Sequence, residues 1–265
     1  MRRRESNGPI LLLLAQLVAL PALADSYYYE ATTVEEEDAR DGEEIVEMRA
    51  WVDGSRMKIE FVDGRKDLPD GSYLLTRDGG ETVYFVNPQK GGYALWDLDE
   101  VIDGVAGLMD GKGMIKLELS DVVDESLLEQ PGEPLLGRAT IHRRRKSGYT
   151  VRYAVLGIAR TQRKETVRDT WVFEGIAQSG LDALLKPSRI DTGHPELDRA
   201  LTAELGRSKG FPLRSVSVTT TTDGKGKEQV RRSTTEVTAL ERQPVVEATF
   251  EIPAEFEERA LKKLR

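Results

Sequence analysis

Residues 72–98 contain two closely spaced turn signals, which restrict the fold of this chain more than any other stretch. Three short runs rich in aromatic and β-branched residues are separated by Asp-Gly-Gly at 78–80 and by Asn-Pro with a glycine pair at 87–92. Asp-Gly supplies the positive φ of tight hairpin turns, and Asn-Pro with two glycines favours a second reversal. The segment therefore predicts a three-stranded antiparallel meander in a mainly β protein.

The middle strand of this meander is apolar on both faces. Val83 and Phe85 are predicted to point to one side, and Tyr84 and Val86 to the other, because successive strand residues alternate between faces. A strand with one solvated face would instead alternate between apolar and polar residues. We therefore expect other parts of the chain to cover both faces here, or one face to line a cavity.

The remaining turn signals and alternating runs extend the β pattern along the chain. Further strands are predicted at 27–34, 45–52, 56–62, 115–119, 138–144, 149–156, 161–173, 213–222, 230–240 and 245–252. Helical spacing predicts short helices at 99–109, 195–205 and 254–264. No linker is long enough to divide the chain, so we expect one domain built on a single large antiparallel sheet.

The first 24 residues have the three-part order of a secretory signal peptide. A basic start is followed by an apolar run at 10–20 and by Ala-Leu-Ala at 22–24. The alternative is an uncleaved membrane anchor, but a spanning helix needs roughly 20 apolar residues and this run is shorter. We therefore expect residues 1–24 to be cleaved and residues 25–265 to form a β domain exported to the periplasm.

Composition excludes several classes of function. The chain has no cysteine, which excludes disulfides, a thiolate nucleophile and cysteine metal ligands. Its formal net charge is −8, and residues 1–24 carry three arginines and one glutamate, so the remainder has a net charge of −10. Polyanions repel an acidic chain of this kind, so nucleic acid is not expected as a partner.

The sequence offers little for catalysis or for cofactor binding. It lacks a Gly-x-x-x-x-Gly-Lys phosphate loop. The two histidines, His142 and His194, are far apart in the chain, whereas structural metal sites usually have closely spaced ligands. We therefore expect no catalytic residues, no cofactor and no metal, in a protein that is not an enzyme.

Basic residues are concentrated in one region, 138–168, which holds ten arginines and lysines and one glutamate. Alternate strand positions share a face, so Arg143 and Arg145 would align with each other, as would Arg160 and Lys164. One interpretation is a solvated face paired with acidic neighbours. The other is a basic docking stripe, formed by these four residues, for an anionic membrane surface or an acidic envelope protein.

Several short segments resemble the periplasmic lipoprotein-carrier family, the outer-membrane lipoprotein-sorting proteins. The resemblance rests on residues 48–59, 77–93, 171–172, 210–213 and 250–253. It implies a sheet curved into an open half-barrel, with a few short helices covering an apolar concave face. It also implies that this face binds a lipid or an acyl chain.

The apolar groove that this resemblance implies has seven candidate lining residues. They are Met57, Ile59, Phe61, Leu75, Val83, Phe85 and Leu95. Burying an acyl chain is worth roughly 0.8 kcal/mol per methylene, so such a groove could hold one without a polar motif. The leading hypothesis is a periplasmic module that binds a lipid, an acyl chain or a lipoprotein anchor, with a role in outer-membrane lipoprotein sorting.

One alternative stays open at the level of the sequence. The same residues would form a filled core in an ordinary β domain. The chain would then be an envelope protein-interaction or stress-sensor scaffold without lipid cargo.

Overall fold

The computed structural model describes residues 26–37, 43–64, 68–96, 106–107, 109, 115–155, 158–176, 192–205 and 210–264. The expected signal peptide, residues 1–24, lies outside the described residues, as does most of the helix expected at 99–109.

Twelve strands account for most of the described chain. They are β1 (Ser26–Glu37), β2 (Glu43–Asp53), β3 (Arg56–Asp63), β4 (Tyr73–Thr76), β5 (Val83–Asn87), β6 (Gly92–Trp96), β7 (Ile115–Pro131), β8 (Ile141–Val155), β9 (Ile158–Phe173), β10 (Phe211–Asp223), β11 (Glu228–Arg242) and β12 (Glu257–Glu258). The meander predicted at 72–98 is confirmed as β4, β5 and β6, and its two turns contain Gly79 and Gly91, both with positive φ.

All twelve strands belong to one sheet, in the order β12-β6-β5-β4-β3-β2-β1-β11-β10-β9-β8-β7. The sheet consists of two meanders, β1 to β6 and β7 to β11, which join where β1 pairs with β11. Every described neighbour pair is antiparallel except β12 with β6, which is parallel. The two edge strands, β12 and β7, do not pair in the described part of the chain, so the sheet is not closed into a barrel. The predicted mainly β fold with one large sheet is confirmed.

The sheet has two distinct faces, which the strand registers identify. Ile59 is opposite Leu74, and Leu74 is opposite Phe85, so these three side chains lie on one face, called the Phe85 face below. Tyr73 is opposite Glu60 and Val86 and lies on the other, called the Tyr73 face. Both faces hold buried apolar clusters along β3 to β6, as the apolar pattern of β5 predicts.

The Tyr73 face is covered by the segment that follows β11. Phe250 is buried in one cluster with Tyr73, Leu75 and Val86, and Val245 and Ile252 pack against that cluster. Arg77 Nε donates a 2.7 Å hydrogen bond to the backbone oxygen of Phe250, which fixes the segment to the sheet.

The described helices are short. Helix α1 (Pro195–Leu205) has the bounds predicted from the sequence and contacts β7 and β8. Helix α2 (Leu261–Leu264) contacts β5 and β6. Neither helix has the length and apolar character that crossing a membrane requires.

Strand β8 corrects one prediction. Separate strands were expected at 138–144 and 149–156, with a turn at Ser147-Gly148, but β8 runs unbroken from Ile141 to Val155. Gly148 is paired with Glu165 of β9, and a Cβ at Gly148 would lie 2.8 Å from the backbone oxygen of Lys164. This glycine therefore allows close contact between paired strands and does not mark a turn.

The C-terminal region corrects two further predictions. The strand expected at 245–252 is wrong, because residues Glu247–Phe250 form a 3₁₀ turn whose apolar side chains cover the sheet. The helix expected at 254–264 is reduced to α2, because the preceding residues Glu257–Glu258 pair with β6 as β12. In both cases, packing on the sheet takes precedence over local periodicity.

Gly210, which precedes β10, provides a test of this packing. Its φ is +93°, and a Cβ there would lie 2.7 Å from Val172 Cγ1 and 2.8 Å from the backbone oxygen of Phe173. Gly210→Ala is expected to lower the free energy of unfolding by about 3 kcal/mol or more, because both conformation and contact oppose a side chain. Urea unfolding measures this change.

Gly54→Ala is the matched control. Gly54 also has a positive φ, +60°, but nothing lies within 4 Å of a Cβ built there. Its substitution should therefore lower the free energy of unfolding only by the cost of a side chain at positive φ, about 1–2 kcal/mol. Equal losses for the two variants would show that Gly210 is not closely packed against Val172 and Phe173.

Candidate functional site

Five of the seven predicted groove residues lie together. Met57, Ile59 and Phe61 on β3 share the Phe85 face with Val83 and Phe85 on β5. The alternation of β3 that suggested a common face for the first three is confirmed by its pairing with β2 and β4.

The other two predicted groove residues do not join them. Leu75 is opposite Tyr84 on the Tyr73 face and is buried beneath the segment after β11. Leu95 is also opposite Tyr84 and is 48% exposed. The sequence placed both at inward-capable positions, but the register of β4, β5 and β6 sets them on the opposite side.

The five residues that share the Phe85 face are at most 5% exposed, so the protein's own atoms cover them. Met57, Ile59, Phe61 and Val83 belong to a cluster that also contains Phe211 and Leu213 from β10. The cluster therefore brings the first meander into contact with the second.

Phe85 has a separate cover, provided by α2. The side chains of Phe85, Ala94 and Leu264 form a buried cluster, with Leu261 packed against it. Asn87 Nδ2 donates a 2.7 Å hydrogen bond to the backbone oxygen of Leu264. One four-residue helix with one fully buried side chain thus covers this part of the sheet.

The four residues of the predicted basic stripe lie on one face. Arg143 and Arg145 on β8 are opposite Thr170 and Arg168 of β9, and Lys164 and Arg160 on β9 are opposite Tyr149 and Tyr153 of β8, as the pairing of the two strands shows. The registers of β9 with β10, β10 with β11 and β11 with β1 identify this as the Phe85 face. The stripe is long, because the ten steps along the strand from residue 160 to residue 170 span about 33 Å.

Carboxylates neutralise one end of the stripe. Arg143 forms ion pairs with Glu129 at 3.2 Å and Glu174 at 3.1 Å, and Arg145 contacts both carboxylate oxygens of Asp124 at 2.6 and 2.8 Å. These contacts fit the charge-paired interpretation for that end, although the side chain of Arg143 is only 13% exposed. Docking through the stripe stays a prediction.

Sequence reasoning missed a group of hydroxyls beside these arginines. Ser147 on β8, Thr166 on β9 and Thr219 on β10 form a row across the three strands, and Thr170 lies two strand positions further along the same face. Three of the four are buried, namely Ser147, Thr166 and Thr170. The run of threonines at 219–222 and the alternation of β9 were the available signals, but the burial depends on the fold.

The Tyr73 face of β8 and β9 has a different polar cluster. His142 Nε2 and Asp169 Oδ1 are 2.6 Å apart, and Arg144 Nε donates to the same oxygen at 2.8 Å. The imidazole of His142 stacks on Trp171 with a centroid separation of 4.5 Å. Burial raises the pKa of Asp169, but the hydrogen bonds from Arg144 and His142 outweigh it and hold this pKa below its ordinary value.

This cluster does not have the side chains of a metal centre among the described residues. Within the described ranges, no three histidine, cysteine, aspartate or glutamate side chains are grouped so that they could hold a metal ion. A Gly-x-Ser-x-Gly sequence does occur at 206–210. It follows α1 and precedes β10, whereas a nucleophile elbow follows a strand and precedes a helix. Residues 206–209 lie outside the described residues.

Comparison with known proteins gives no family assignment. No family model matches the chain, and no curated protein matches it. The sequence-based resemblance to lipoprotein carriers therefore stays a prediction at the level of the family.

Some solved structures are similar at low identity. An uncharacterized conserved protein from Thermus thermophilus has 13% identity and a TM-score of 0.36, with 89% of this chain and 91% of that chain covered. An outer membrane lipoprotein-sorting protein domain from Vibrio parahaemolyticus has 8% identity and a TM-score of 0.32, covering 87% and 91%. A DUF1329 family protein from Desulfovibrio piger has 9% identity and a TM-score of 0.31, covering 86% and 90%. Similarities at this level assign no function.

The lowered pKa of Asp169 predicts how stability depends on pH. An unfolded aspartate titrates near 3.9, so at lower pH the unfolded chain binds a proton that folded Asp169 does not. The stability contributed by Asp169 is therefore complete above that value and is lost as the pH falls through the lower folded pKa. Urea unfolding at pH 7 and at pH 3 should show a smaller acid-induced loss of stability for Asp169→Asn than for the wild type.

Asp121→Asn is a suitable control, because Asp121 is exposed on the edge strand β7. Identical acid sensitivity of Asp169→Asn and the wild type would contradict a role for the Arg144 and His142 hydrogen bonds.

Proposed function

We propose that this protein binds the acyl chain of a lipid or lipoprotein anchor against the Phe85 face, in the periplasm, and performs no chemistry on it. The observation that supports this most is the apolar character of both faces of β3 to β6, combined with the small size of the elements that cover the Phe85 face. A four-residue helix, α2, covers Phe85 and Ala94 with one fully buried side chain, Leu264.

The cover is small enough to be exchanged for a ligand. Burying one leucine side chain stabilises by about 1.5–3 kcal/mol, whereas each buried methylene of an acyl chain contributes about 0.8 kcal/mol. About ten buried methylenes would therefore contribute ~8 kcal/mol and would exceed the contribution of Leu264. An isolated helix of one turn has little stability of its own, so α2 depends on this contact.

Contacts just before α2 would keep the preceding chain in place while the helix moves. Arg259 donates from its backbone nitrogen to Tyr93 at 2.8 Å and from Nη1 to the backbone oxygen of Lys90 at 2.9 Å. These bonds hold the chain just before α2 at the edge of β6. Movement of residues 261–264 would remove Leu261 and Leu264 from Phe85 and Ala94, while Leu68, Leu74 and Trp96 stay packed against them.

Weakening the cover should therefore strengthen binding. Leu264→Ser removes the apolar side chain that competes with the ligand for Phe85 and Ala94. We expect the affinity for a fluorescent, uncharged monoacylglycerol to rise roughly tenfold, because the ligand no longer displaces a buried leucine. Fluorescence titration measures the affinity, and thermal unfolding shows whether the variant is folded.

Leu127→Ser is the matched control, because Leu127 is exposed on β7. It should leave the affinity unchanged. A folded Leu264→Ser variant with unchanged or weaker binding would contradict exchange at α2. No binding by any of the three proteins would contradict the proposed function and favour the protein-interaction scaffold.

A further inference from the structure

We propose that the Phe85 face also holds a binding site for a phosphate group, centred on Arg168 of β9, which would take the headgroup of an anionic lipid. This rests on the proposed acyl-binding function, because chain and headgroup would lie on the same face of the sheet.

The register places Arg168 in the middle of a polar surface. Arg168 is opposite Arg145 of β8 on one side and Ser217 of β10 on the other. Thr166 and Thr170 are its nearest neighbours on the same face of β9. Opposite residues in antiparallel strands have Cβ atoms about 5 Å apart, so these five side chains form one compact group.

Two buried hydroxyls in this region are uncommitted. Thr170 is 7% exposed and Ser147 is 9% exposed, and in the part of the chain that the structure describes neither hydroxyl has a hydrogen-bond partner. Thr166, which is opposite Ser147, forms a hydrogen bond with Thr219 at 3.0 Å. Buried polar groups are nearly always hydrogen-bonded, so two buried hydroxyls without a described partner are candidate donors to a polar ligand.

The charges favour an anion at this place. Arg145 is directly opposite Arg168, and like charges opposite one another destabilise a sheet. Arg145 is paired with Asp124, but Arg168 has no carboxylate partner among the described residues. Glu129 and Glu174, near the same end of the stripe, pair with Arg143. A phosphate would accept hydrogen bonds from the guanidinium and the hydroxyls and relieve the repulsion.

Strand β10 connects this polar surface to the apolar cluster. Phe211 and Leu213 belong to the cluster, and Ser215 and Ser217 follow at alternate positions on the same strand. Four residues of strand span about 13 Å. The face therefore changes from apolar to polar over a distance that suits an amphiphile with one end in each part.

Two probes separate the headgroup site from the acyl site. Lysophosphatidic acid has one acyl chain and a phosphate, and a monoacylglycerol with the same chain lacks the phosphate. We expect the wild type to bind lysophosphatidic acid at least tenfold more tightly. Arg168→Gln should remove this preference and leave monoacylglycerol binding unchanged, which also shows that the variant is folded, and Arg168→Lys should restore part of it.

Arg232→Gln is the matched control. Arg232 is exposed on β11 and is opposite Val218, on the Tyr73 face of the sheet. Its substitution should change neither affinity. Calorimetric titration with inorganic phosphate distinguishes the source of the anion: binding that depends on Arg168 without any preference for lysophosphatidic acid would assign the site to free phosphate and not to a headgroup.

The outcomes distinguish this inference from the function on which it rests. Equal affinities for the two lipids, with no phosphate binding that depends on Arg168, would overturn the headgroup site while leaving the acyl site in place. Failure of the wild type to bind the monoacylglycerol would overturn the acyl function itself. A preference for lysophosphatidic acid that survives Arg168→Gln would also overturn the assignment to Arg168.

Discussion

The pairing of β1 with β11 holds the two halves of this sheet together. β1 begins the first meander and β11 ends the second, so the contact between Thr33 and Thr235 at 2.9 Å joins residues 202 positions apart. The edge-to-face contact of Tyr29 with Phe211, at a centroid distance of 5.1 Å, adds packing at the same junction. Such long-range pairing is costly to form, but it creates one continuous face from two separate meanders.

That continuity gives the Phe85 face two chemically different parts. The first meander supplies apolar residues such as Ile59 and Phe85, and β8 to β10 supply hydroxyls and arginines such as Thr170 and Arg168. The opposite face is different, because its charges on β8 and β9 are largely engaged with one another, as in the contacts of Asp169 with His142 and Arg144. The proposed function therefore uses the two chemically different parts of the Phe85 face.

Local chemistry was sufficient to predict the elements whose pattern is short-range. Asp78-Gly79 predicted the turn between β4 and β5. The apolar residues on both sides of β5 predicted that both faces of the sheet are covered there, which is confirmed. The turn predicted at Gly148 was wrong, because the sequence does not distinguish a glycine that allows close contact between strands from a glycine that forms a turn. The alternating residues at 245–252 misled for a related reason, since a segment that covers a sheet can have the periodicity of a strand.

The candidate site was predictable only in part. Alternation brought Met57, Ile59 and Phe61 to one face, but it could not assign Leu75 and Leu95, whose orientation depends on the register of the meander. It also selected Arg143 and Arg145, which are neutralised by carboxylates distant in sequence. The sequence did not single out Arg168. Only the strand pairing shows that Arg168 lies beside buried hydroxyls and has no carboxylate partner among the described residues.

The central claim is that an acyl chain binds the Phe85 face, and the lipid content of the folded protein tests it most directly. The measurement is mass spectrometry of an organic extract from protein purified without detergent from its native compartment. We predict an acyl lipid in near-equimolar amount, lost when α2 is fastened to the sheet by a crosslink between introduced cysteines at 94 and 264. Folded protein that yields no acyl lipid would contradict the claim.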